Sequence, residues 1–372
     1  MGFDLGGSRV EASPSPCTTP VDRISAILAR NRVPIETPMH TASNPHHRIM
    51  TILATVSAFA ISMAAAAQHR LITQGNDRLA VVDAGGDIEW EMPWRGIHDI
   101  HVLPDGHIMV QRGASEVVEI DPDTKQVVWS YDSRLQNGNS GKAVEVHAFQ
   151  PLPPKSAVNP TQDWRLMIAE SGTARIIEVD RSGAMLATTP MTVDKPHPHM
   201  DTRLVRKIAK DRYLVCHEGD GAVREYVQGT GQVVWDYDVP MKVGEGPDEA
   251  RDGHGPEASG NKCFGAIRLP DGDTLIATGN GHSVIKVDPA KKIVWSVTRN
   301  ELPNIRLAWV TTLELLPNGN YVIGNCHAGP GQPLLVELEP KTKKVVWTFD
   351  QFDRFGNSVP NSQILDTPNA IR

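Results

Sequence analysis

Residues 117–129 read VVEIDPDTKQVVW, and this segment decides the fold. An alternating apolar run is followed by an Asp-Pro turn and a second β-rich run that ends in Trp129. Alternation at a period of two around such a turn predicts a β-hairpin. Five further segments vary the pattern: LAVVDAGGDIEW (79–90), IIEVDRSGAML (176–186), VREYVQGTGQVVW (223–235), VIKVDPAKKIVW (284–295) and LVELEPKTKKVVW (335–347). A unit that recurs about every 40–60 residues is typical of a propeller or a solenoid.

A second hairpin precedes several of these copies. It is visible in HDIHVLPDGHIMV (98–110), FGAIRLPDGDTLIAT (264–278) and VTTLELLPNGNYVIG (310–324). Each contains a turn in which Pro presets φ at the first position and Gly accepts a positive φ two residues later. Two hairpins make four antiparallel strands, which is one propeller blade. The pattern predicts complete blades over residues 97–132, 143–190, 198–238, 260–298 and 307–350.

The sixth blade is split between the two ends of this repeat region. Residues 70–92 carry its last three strands, and residues 355–366 resemble a lone first strand. Pairing these two segments would close the ring and remove exposed sheet edges, which invite aggregation. We therefore predict an all-β fold, a six-bladed β-propeller of four-stranded antiparallel blades, closed by a C-terminal strand that joins the N-terminal blade. An open stack of sheets is the structural alternative.

Residues 1–67 have the character of a presequence. Residues 1–47 are rich in Pro, Ser, Thr and Arg without periodicity, and Arg48 then leads into an apolar run that ends in four alanines. This is the pattern of a secretory signal peptide over about residues 48–67, with cleavage after Ala67. The run is short for a retained anchor, and no later stretch could span a bilayer. We expect one propeller domain, residues 68–372, exported to the periplasm or secreted.

Charge and cysteine content exclude several function classes. The net charge of −7 comes without a basic stripe, so no nucleic-acid partner is expected. Removal of Cys17 with the presequence leaves an odd number of cysteines at unrelated spacings, which predicts buried thiols and no disulfide framework: Cys216, Cys263 and Cys326. The nucleophile elbow of serine hydrolases, the P-loop and the H-E-x-x-H zinc motif are missing.

Histidines gather where propeller geometry places ligand sites. The first strand of each blade lines the central channel, and its start lies on the same face as the loops between second and third strands. Nine of the 14 histidines fall at these places or on the polar insert 240–260, a possible lid: His98, His101, His147, His197, His199, His217, His254, His282 and His327. Three further polar residues occupy comparable loop positions: Arg112, Glu170 and Glu218.

This concentration of imidazoles favours a ligand site. Neutral imidazole is the commonest metal ligand in proteins and the best proton shuttle near neutral pH. The funnel is therefore expected to hold a divalent metal or to perform acid–base or nucleophilic chemistry. The alternative is that each histidine hydrogen-bonds a loop backbone. His98 and His101 point to opposite faces of a regular strand, so a metal site built from different blades is preferred, with its ligands left unassigned.

The copies of the pattern D-P-x-T-x-x-V-V-W resemble the repeats of PQQ-like propellers. This superfamily includes the quinoprotein dehydrogenases and the outer-membrane assembly propeller. Quinoprotein dehydrogenases usually have eight blades and an adjacent cysteine pair over the quinone. This sequence has neither, so bound PQQ is not expected, and no cofactor is assigned with certainty.

The segment GIHDIHVLPDGHIMV (96–110) also resembles the His-Asp and Leu-Pro-Asn-Gly strands of bacterial arylsulfate sulfotransferases. Those are exported six-bladed propellers that pass a sulfuryl group through a channel histidine. The resemblance implies a channel-lining role for His98. It also implies nucleophilic or oxyanion-supporting roles for a set of histidines, and anion pairing by a set of arginines: His147, His199, His217 and His327, then Arg112, Arg203 and Arg306.

The leading interpretation is an exported propeller whose funnel binds a small anionic or carbohydrate-like ligand. Histidine-based group transfer of the arylsulfotransferase type, or hydrolase or lyase chemistry, would act on that ligand. The candidate ligand-binding residues are His101, Arg112, Glu170, Arg203, Glu218, His254, His282 and Arg306. Two alternatives remain: a non-catalytic scaffold with a protein partner on one propeller face, and a metal- or quinone-dependent oxidoreductase.

Overall fold

The computed structural model describes residues 68–153 and 164–372, and these form six four-stranded antiparallel sheets. The first three strands are β1 Leu71–Gly75, β2 Arg78–Val82 and β3 Ile88–Pro93. Blade 1 contains β4 Ile100–Val102, β5 Ile108–Arg112, β6 Glu116–Asp121 and β7 Gln126–Asp132. Blade 2 contains β8 Glu145–Leu152, β9 Arg165–Ser171, β10 Arg175–Val179 and β11 Met185–Pro190. The predicted six-bladed propeller is confirmed.

The remaining blades follow in chain order. Blade 3 contains β12 Val205–Ala209, β13 Arg212–His217, β14 Ala222–Val227 and β15 Val233–Asp238. Blade 4 contains β16 Gly265–Arg268, β17 Thr274–Ala277, β18 Val284–Val287 and β19 Ile293–Val297. Blade 5 contains β20 Val310–Leu315, β21 Tyr321–Asn325, β22 Leu335–Glu339 and β23 Lys344–Phe349. A short helix, α1 Phe352–Phe355, and the strand β24 Ser362–Ile364 complete the described elements.

Blade 6 joins the two ends of the repeat region, as predicted. Strand β24 pairs antiparallel with β1, so that Ile364 lies opposite Leu71 and Ser362 lies opposite Thr73. Leu71 and Ile364 are buried in the same apolar cluster as Phe355. The Ile364 amide also donates to the carboxylate of Glu314 in blade 5, at 3.1 Å to Oε1. Closure of the ring therefore combines sheet pairing with apolar burial.

Tryptophans that end the repeats connect neighbouring blades. The indole N–H of Trp90 donates to the Pro122 carbonyl at 2.8 Å, and that of Trp129 donates to the Arg181 carbonyl at 2.7 Å. Trp295 makes the same bond to Pro340 at 2.7 Å. Each acceptor lies in the hairpin turn of the next blade, so the repeat pattern itself supplies both partners of the contact.

The three cysteines of the described region are buried and free, consistent with thiols that pack as small apolar groups: Cys216, Cys263 and Cys326. Burial raises the pKa of Cys326 to about 12. Within the described residues, no helix has the length and apolar character needed to cross a membrane. The predicted presequence and signal peptide, residues 1–67, lie outside the described part of the chain.

The channel has two ends of different construction. We call one the upper mouth, where loops between second and third strands meet the segments that precede first strands. The turns between first and second strands form the other, which we call the lower end. Representative residues are Asp77 and His327 at the upper mouth, and Pro104 and Pro270 at the lower end.

Candidate functional site

The upper mouth contains a cavity of about 440 Å³. Its lining includes a cation, four histidines and an indole ring: Arg203, His98, His199, His254, His327 and Trp309. These residues are far apart in the sequence and come from different blades and from the insert 240–260. Five of the predicted site residues, Arg203 and the four histidines, therefore share one cavity. Their proposed roles remain predictions.

Three histidines from three consecutive blades lie together at the wall of this cavity. The ring centroids of His98 and His147 are 4.7 Å apart, and those of His147 and His199 are 5.0 Å apart. His98 precedes β4, His147 lies on β8, and His199 precedes β12. The pairing of β8 with β9 shifts register between Val146 and Ala148, so His147 occupies a β-bulge. A bulge re-aims one side chain without ending the strand, which explains how His147 reaches its neighbours.

Glu145 joins two of these rings. Its Oε2 atom lies 3.1 Å from His147 Nε2 and 2.7 Å from His199 Nδ1. These hydrogen bonds hold the pKa of Glu145 at about 2. The other nitrogen of His147, Nδ1, lies 3.0 Å from the carbonyl oxygen of Thr202. The three residues offer ligand atoms that all lie within 4.8 Å of one another, a spacing that could hold a metal ion.

Arg203 places a guanidinium at the cavity wall although only 3% of the residue is exposed. Its Nε atom donates to the carboxylate of Glu218, which is also buried. Within the described residues, Nη1 is buried and has no hydrogen-bond partner. A buried charged donor without a partner costs free energy unless a ligand satisfies it. Arg203 is therefore suited to bind an anionic group.

His98 and His327 each present a ring nitrogen without a partner. Nδ1 of both residues is buried and unpaired within the part of the chain that the structure describes. Burial lowers the pKa of His98 well below its ordinary value, assisted by His147 and Arg203, and lowers that of His327 to about 4. Both rings are therefore neutral near pH 7, and a neutral ring has one nitrogen free to act as a base or nucleophile.

The insert 240–260 contributes His254 to the cavity. The His254 ring lies 4.2 Å from the Trp309 ring and 5.3 Å from the His327 ring, measured between centroids. Burial lowers the pKa of His254 as well. The insert thus reaches the upper mouth, where the sequence analysis expected a lid.

Two predicted site histidines have structural contacts at both ring nitrogens and do not line the cavity. His217 bonds the Asp201 carbonyl at 2.7 Å and the Tyr226 hydroxyl at 2.9 Å. His282 bonds the Ala258 carbonyl at 2.8 Å and accepts the Trp309 amide at 2.9 Å. Both rings therefore hold backbone segments that lead to the cavity wall.

Four more predicted residues lie away from the cavity. Arg112 makes two bonds of 2.6 Å to Glu116, and buried Glu170 accepts from Arg175 at 2.5 Å. Arg306 is exposed on a loop. His101 lies at the lower end of the channel. The alternation on β4 that separates His98 from His101 was expected from the sequence.

Two residues of the site were missed by the sequence analysis. Glu145 and His147 lie two residues apart, a spacing that places side chains on one face of a regular strand, so the signal was available. Trp309 has a φ of 48° and belongs to no repeat-final position, so no sequence pattern singled it out.

Comparison with known proteins identifies the family. The family model described as outer membrane protein assembly factor BamB matches residues 75–349. The chain belongs to this PQQ-like repeat family. The match covers most of the propeller and agrees with the resemblance inferred from the D-P-x-T-x-x-V-V-W copies. It does not bear on the resemblance to arylsulfate sulfotransferases, which stays a prediction.

Solved structures support the fold. A protein of unknown function from Bacteroides caccae is 22% identical with a TM-score of 0.62, covering 82% of this chain and 99% of its own. A streptogramin B lyase is 13% identical with a TM-score of 0.44, covering 77% of this chain and 83% of its own. The WD40 propeller domain of Doa1 is 15% identical with a TM-score of 0.44, covering 68% and 71%. No curated protein sequence matches this chain.

Proposed function

We propose that this PQQ-like propeller is exported, that it binds a small anionic ligand in the upper mouth, and that it transfers a group from that ligand through a histidine. One observation carries the proposal. The buried guanidinium of Arg203 has an unpartnered Nη1 within the described residues, at the wall of a cavity that four histidines also line. An anionic oxygen at Nη1 would satisfy this donor with a charge-assisted hydrogen bond.

Burial strengthens this interaction. A charge-assisted hydrogen bond gains energy where water is excluded and the local dielectric constant is low. Glu218 holds the other side of the guanidinium and so fixes its orientation toward the cavity. Recognition would then depend on one rigid cation, surrounded by neutral imidazoles that can donate or accept.

His98 is the proposed group carrier. Its Nδ1 is unpartnered within the described chain, and its low pKa keeps the ring neutral and nucleophilic. With an aryl sulfate, a nitrogen of His98 would attack the sulfuryl sulfur, and the bond from sulfur to the aryl oxygen would break to release a phenol. A second phenol would then take the sulfuryl group from the ring. The resemblance of residues 96–110 to arylsulfate sulfotransferases supports this choice of substrate class.

Export is part of the same proposal. The family model carries the description of an outer membrane assembly factor, and residues 48–67 have the pattern of a cleaved signal peptide. Fractionation of cells that express the full chain, followed by N-terminal sequencing of the periplasmic species, tests this step. A protein that stays in the cytoplasm with residues 1–67 attached would contradict it.

The chemical step is tested with 4-nitrophenyl sulfate as donor and phenol as acceptor. The wild-type protein should release 4-nitrophenolate, and His98→Gln should lower the rate by about 10²–10⁴-fold, the range typical of a catalytic proton-transfer or nucleophilic histidine. His107→Gln is the matched control, because His107 pairs with Glu119 on the first-to-second-strand turn and does not line the cavity. Absence of both binding and turnover with 4-nitrophenyl sulfate would reject the sulfuryl substrate.

A second candidate function follows from the family itself. A protein-interaction platform is supported by the description of the family, and by apolar side chains that are exposed on the outermost strands: Val128, Leu186, Val234 and Val294. Replacing Val128 and Val294 with lysine should remove a periplasmic partner detected by in-cell crosslinking, while 4-nitrophenyl sulfate binding stays unchanged. Loss of binding without loss of crosslinks would favour the small-molecule function alone.

A further inference from the structure

The contact between Glu145 and His147 has an unusual feature. Nδ1 of His147 faces a backbone carbonyl oxygen, that of Thr202, at 3.0 Å. A carbonyl oxygen can only accept, so Nδ1 carries a proton. In a neutral imidazole the second nitrogen, Nε2, then carries a lone pair. That nitrogen lies 3.1 Å from the Glu145 carboxylate oxygen, which is also an acceptor.

Two acceptors at this distance require a positive species between them. It is either a proton, which makes an imidazolium, or a metal cation. We propose that Glu145, His147 and His199 bind a divalent transition-metal ion at the upper mouth. The two ring nitrogens approach the same carboxylate oxygen, Glu145 Oε2, and the three ligand atoms lie within 4.8 Å of one another.

The surroundings of His147 match those of a metal-binding histidine. Such a histidine almost always donates its second ring N–H to a carbonyl or a carboxylate, which fixes the tautomer and the ring orientation. Thr202 is itself held in place, because its hydroxyl bonds Ser171 at 2.6 Å and its amide donates to Ser171 Oγ at 3.1 Å. The residue is only 2% exposed and sits in a β-bulge, so its Nε2 has a fixed direction.

The ligand set indicates the class of metal. Two imidazole nitrogens and one carboxylate oxygen suit zinc and the other first-row divalent ions, whereas calcium and magnesium prefer oxygen ligands alone. Bonds of about 2.0–2.2 Å would draw the three atoms slightly closer together. Glu145 and His199 can make this adjustment because both are partly exposed. A set of three protein ligands also leaves coordination positions free for a ligand in the cavity.

The nearest fixed positive charge does not oppose the ion. Arg203 is paired with Glu218, so its charge is balanced locally. Two other histidines of the chain contact carboxylates, but in different arrangements: His107 meets Glu119 alone, and His69 meets Glu337 and Asp366 through different ring nitrogens. Within the described residues only the cluster Glu145, His147 and His199 brings three such ligand atoms together.

Metal binding can be tested without any substrate, so this inference does not depend on the proposed function. The purified protein, treated with a chelator and dialysed, is titrated with Zn²⁺ by calorimetry and with Co²⁺ by visible absorption. We expect one ion per chain and a ligand-field absorption band typical of nitrogen and oxygen ligands. Glu145→Gln and His199→Gln should each weaken Zn²⁺ binding by more than the 10–100-fold, roughly, that loss of an outer-shell partner costs.

His107→Gln is the matched control, because it removes a histidine bonded to a glutamate outside the cluster, and Zn²⁺ affinity should change by less than about twofold. Both ligand variants alter partly exposed side chains, and circular dichroism checks that they fold. Three results would overturn the proposal: no stoichiometric ion, binding that survives both Glu145→Gln and His199→Gln, or a proton at His147 Nε2, seen by ¹⁵N NMR, that Zn²⁺ does not displace.

Discussion

The two ends of the channel carry the same types of residue but use them differently. At the lower end, Arg206 makes bonds of 2.7 and 2.9 Å to the two oxygens of Asp99, and His101 donates to the Phe149 carbonyl at 2.8 Å. At the upper mouth, Arg203 and His98 each keep a buried nitrogen without a partner among the described residues. The lower end is a structural network, whereas the upper mouth is prepared for a ligand.

Size and charge alone would have selected the wrong end. The cavity at the lower end is larger, about 580 Å³ against about 440 Å³, and four cations line it: Arg206, Lys207, Arg268 and Arg372. Those cations have partners already, since Arg268 bonds Glu225 at 2.7 Å and Arg372 donates to the Ile100 carbonyl at 2.8 Å. The comparison shows that unsatisfied buried groups are a better guide to a ligand site than volume or positive charge.

The largest expected effect comes from the two arginines. Arg206→Met should leave Asp99 buried without its partner and lower the free energy of unfolding by about 3–5 kcal/mol, with little change in ligand affinity. Arg203→Met combined with Glu218→Gln, which strands no charge, should instead weaken 4-nitrophenyl sulfate binding by about 10–100-fold. Urea unfolding and calorimetry measure the two quantities. Equal effects of both changes on affinity would remove the distinction between the ends.

The next effect tests ring closure, on which both ends depend. Ile364 is 3% exposed on β24, and Ile364→Ala should lower the free energy of unfolding by about 2–5 kcal/mol through lost packing. Ile293 on an outer strand is 37% exposed, and Ile293→Ala should stay within about 0.5 kcal/mol. Urea denaturation of the two variants makes the comparison. Similar losses in both would show that the closing strand contributes nothing special.

A smaller effect concerns pH and is shared by both ends. Burial lowers the pKa of His101, His217 and His282 to about 4. Below about pH 6.5 the unfolded chain takes up protons at these rings while the folded chain does not, so stability falls as the pH drops from 6.5 toward 4. Each ring contributes at most about 1.4 kcal/mol per pH unit.

Unfolding free energies measured in urea at pH 7 and pH 5 test this dependence. The wild-type protein should be less stable at pH 5, and His217→Gln should show a shallower decline because one titrating ring is gone. A decline of the same steepness in His217→Gln would mean that this ring is not held neutral in the folded state.

The smallest effect lies on the outer wall and serves as a reference for both ends. Trp129 donates its indole N–H to the next blade, whereas the indole N–H of Trp235 is buried without a partner in the described chain. An arginine lies over each ring, so the pair is otherwise similar. Trp129→Phe should cost about 0.5–1.5 kcal/mol more than Trp235→Phe in thermal or urea unfolding. A larger loss in Trp235→Phe would refute the blade-connecting role of the hydrogen bond.

Much of the fold could be predicted because its information is local. Alternation at a period of two, the Asp-Pro and Pro-Asp-Gly turns and the closing tryptophans are each contained within about fifteen residues. The closing role of residues 357–366 followed from counting strands, and the pairing of Ile364 with Leu71 confirms it. The gathering of histidines near one face followed from the same count.

The state of each histidine was decided by the tertiary structure alone. His147 and His282 occupy similar positions in the repeat pattern, but their partners are carbonyl oxygens 55 and 24 residues away. Those contacts determine whether a ring nitrogen is occupied, as in His282, or available, as in His98. A sequence pattern records which residues face the channel, because strand periodicity is local, but hydrogen-bond partners across blades depend on how the whole ring packs.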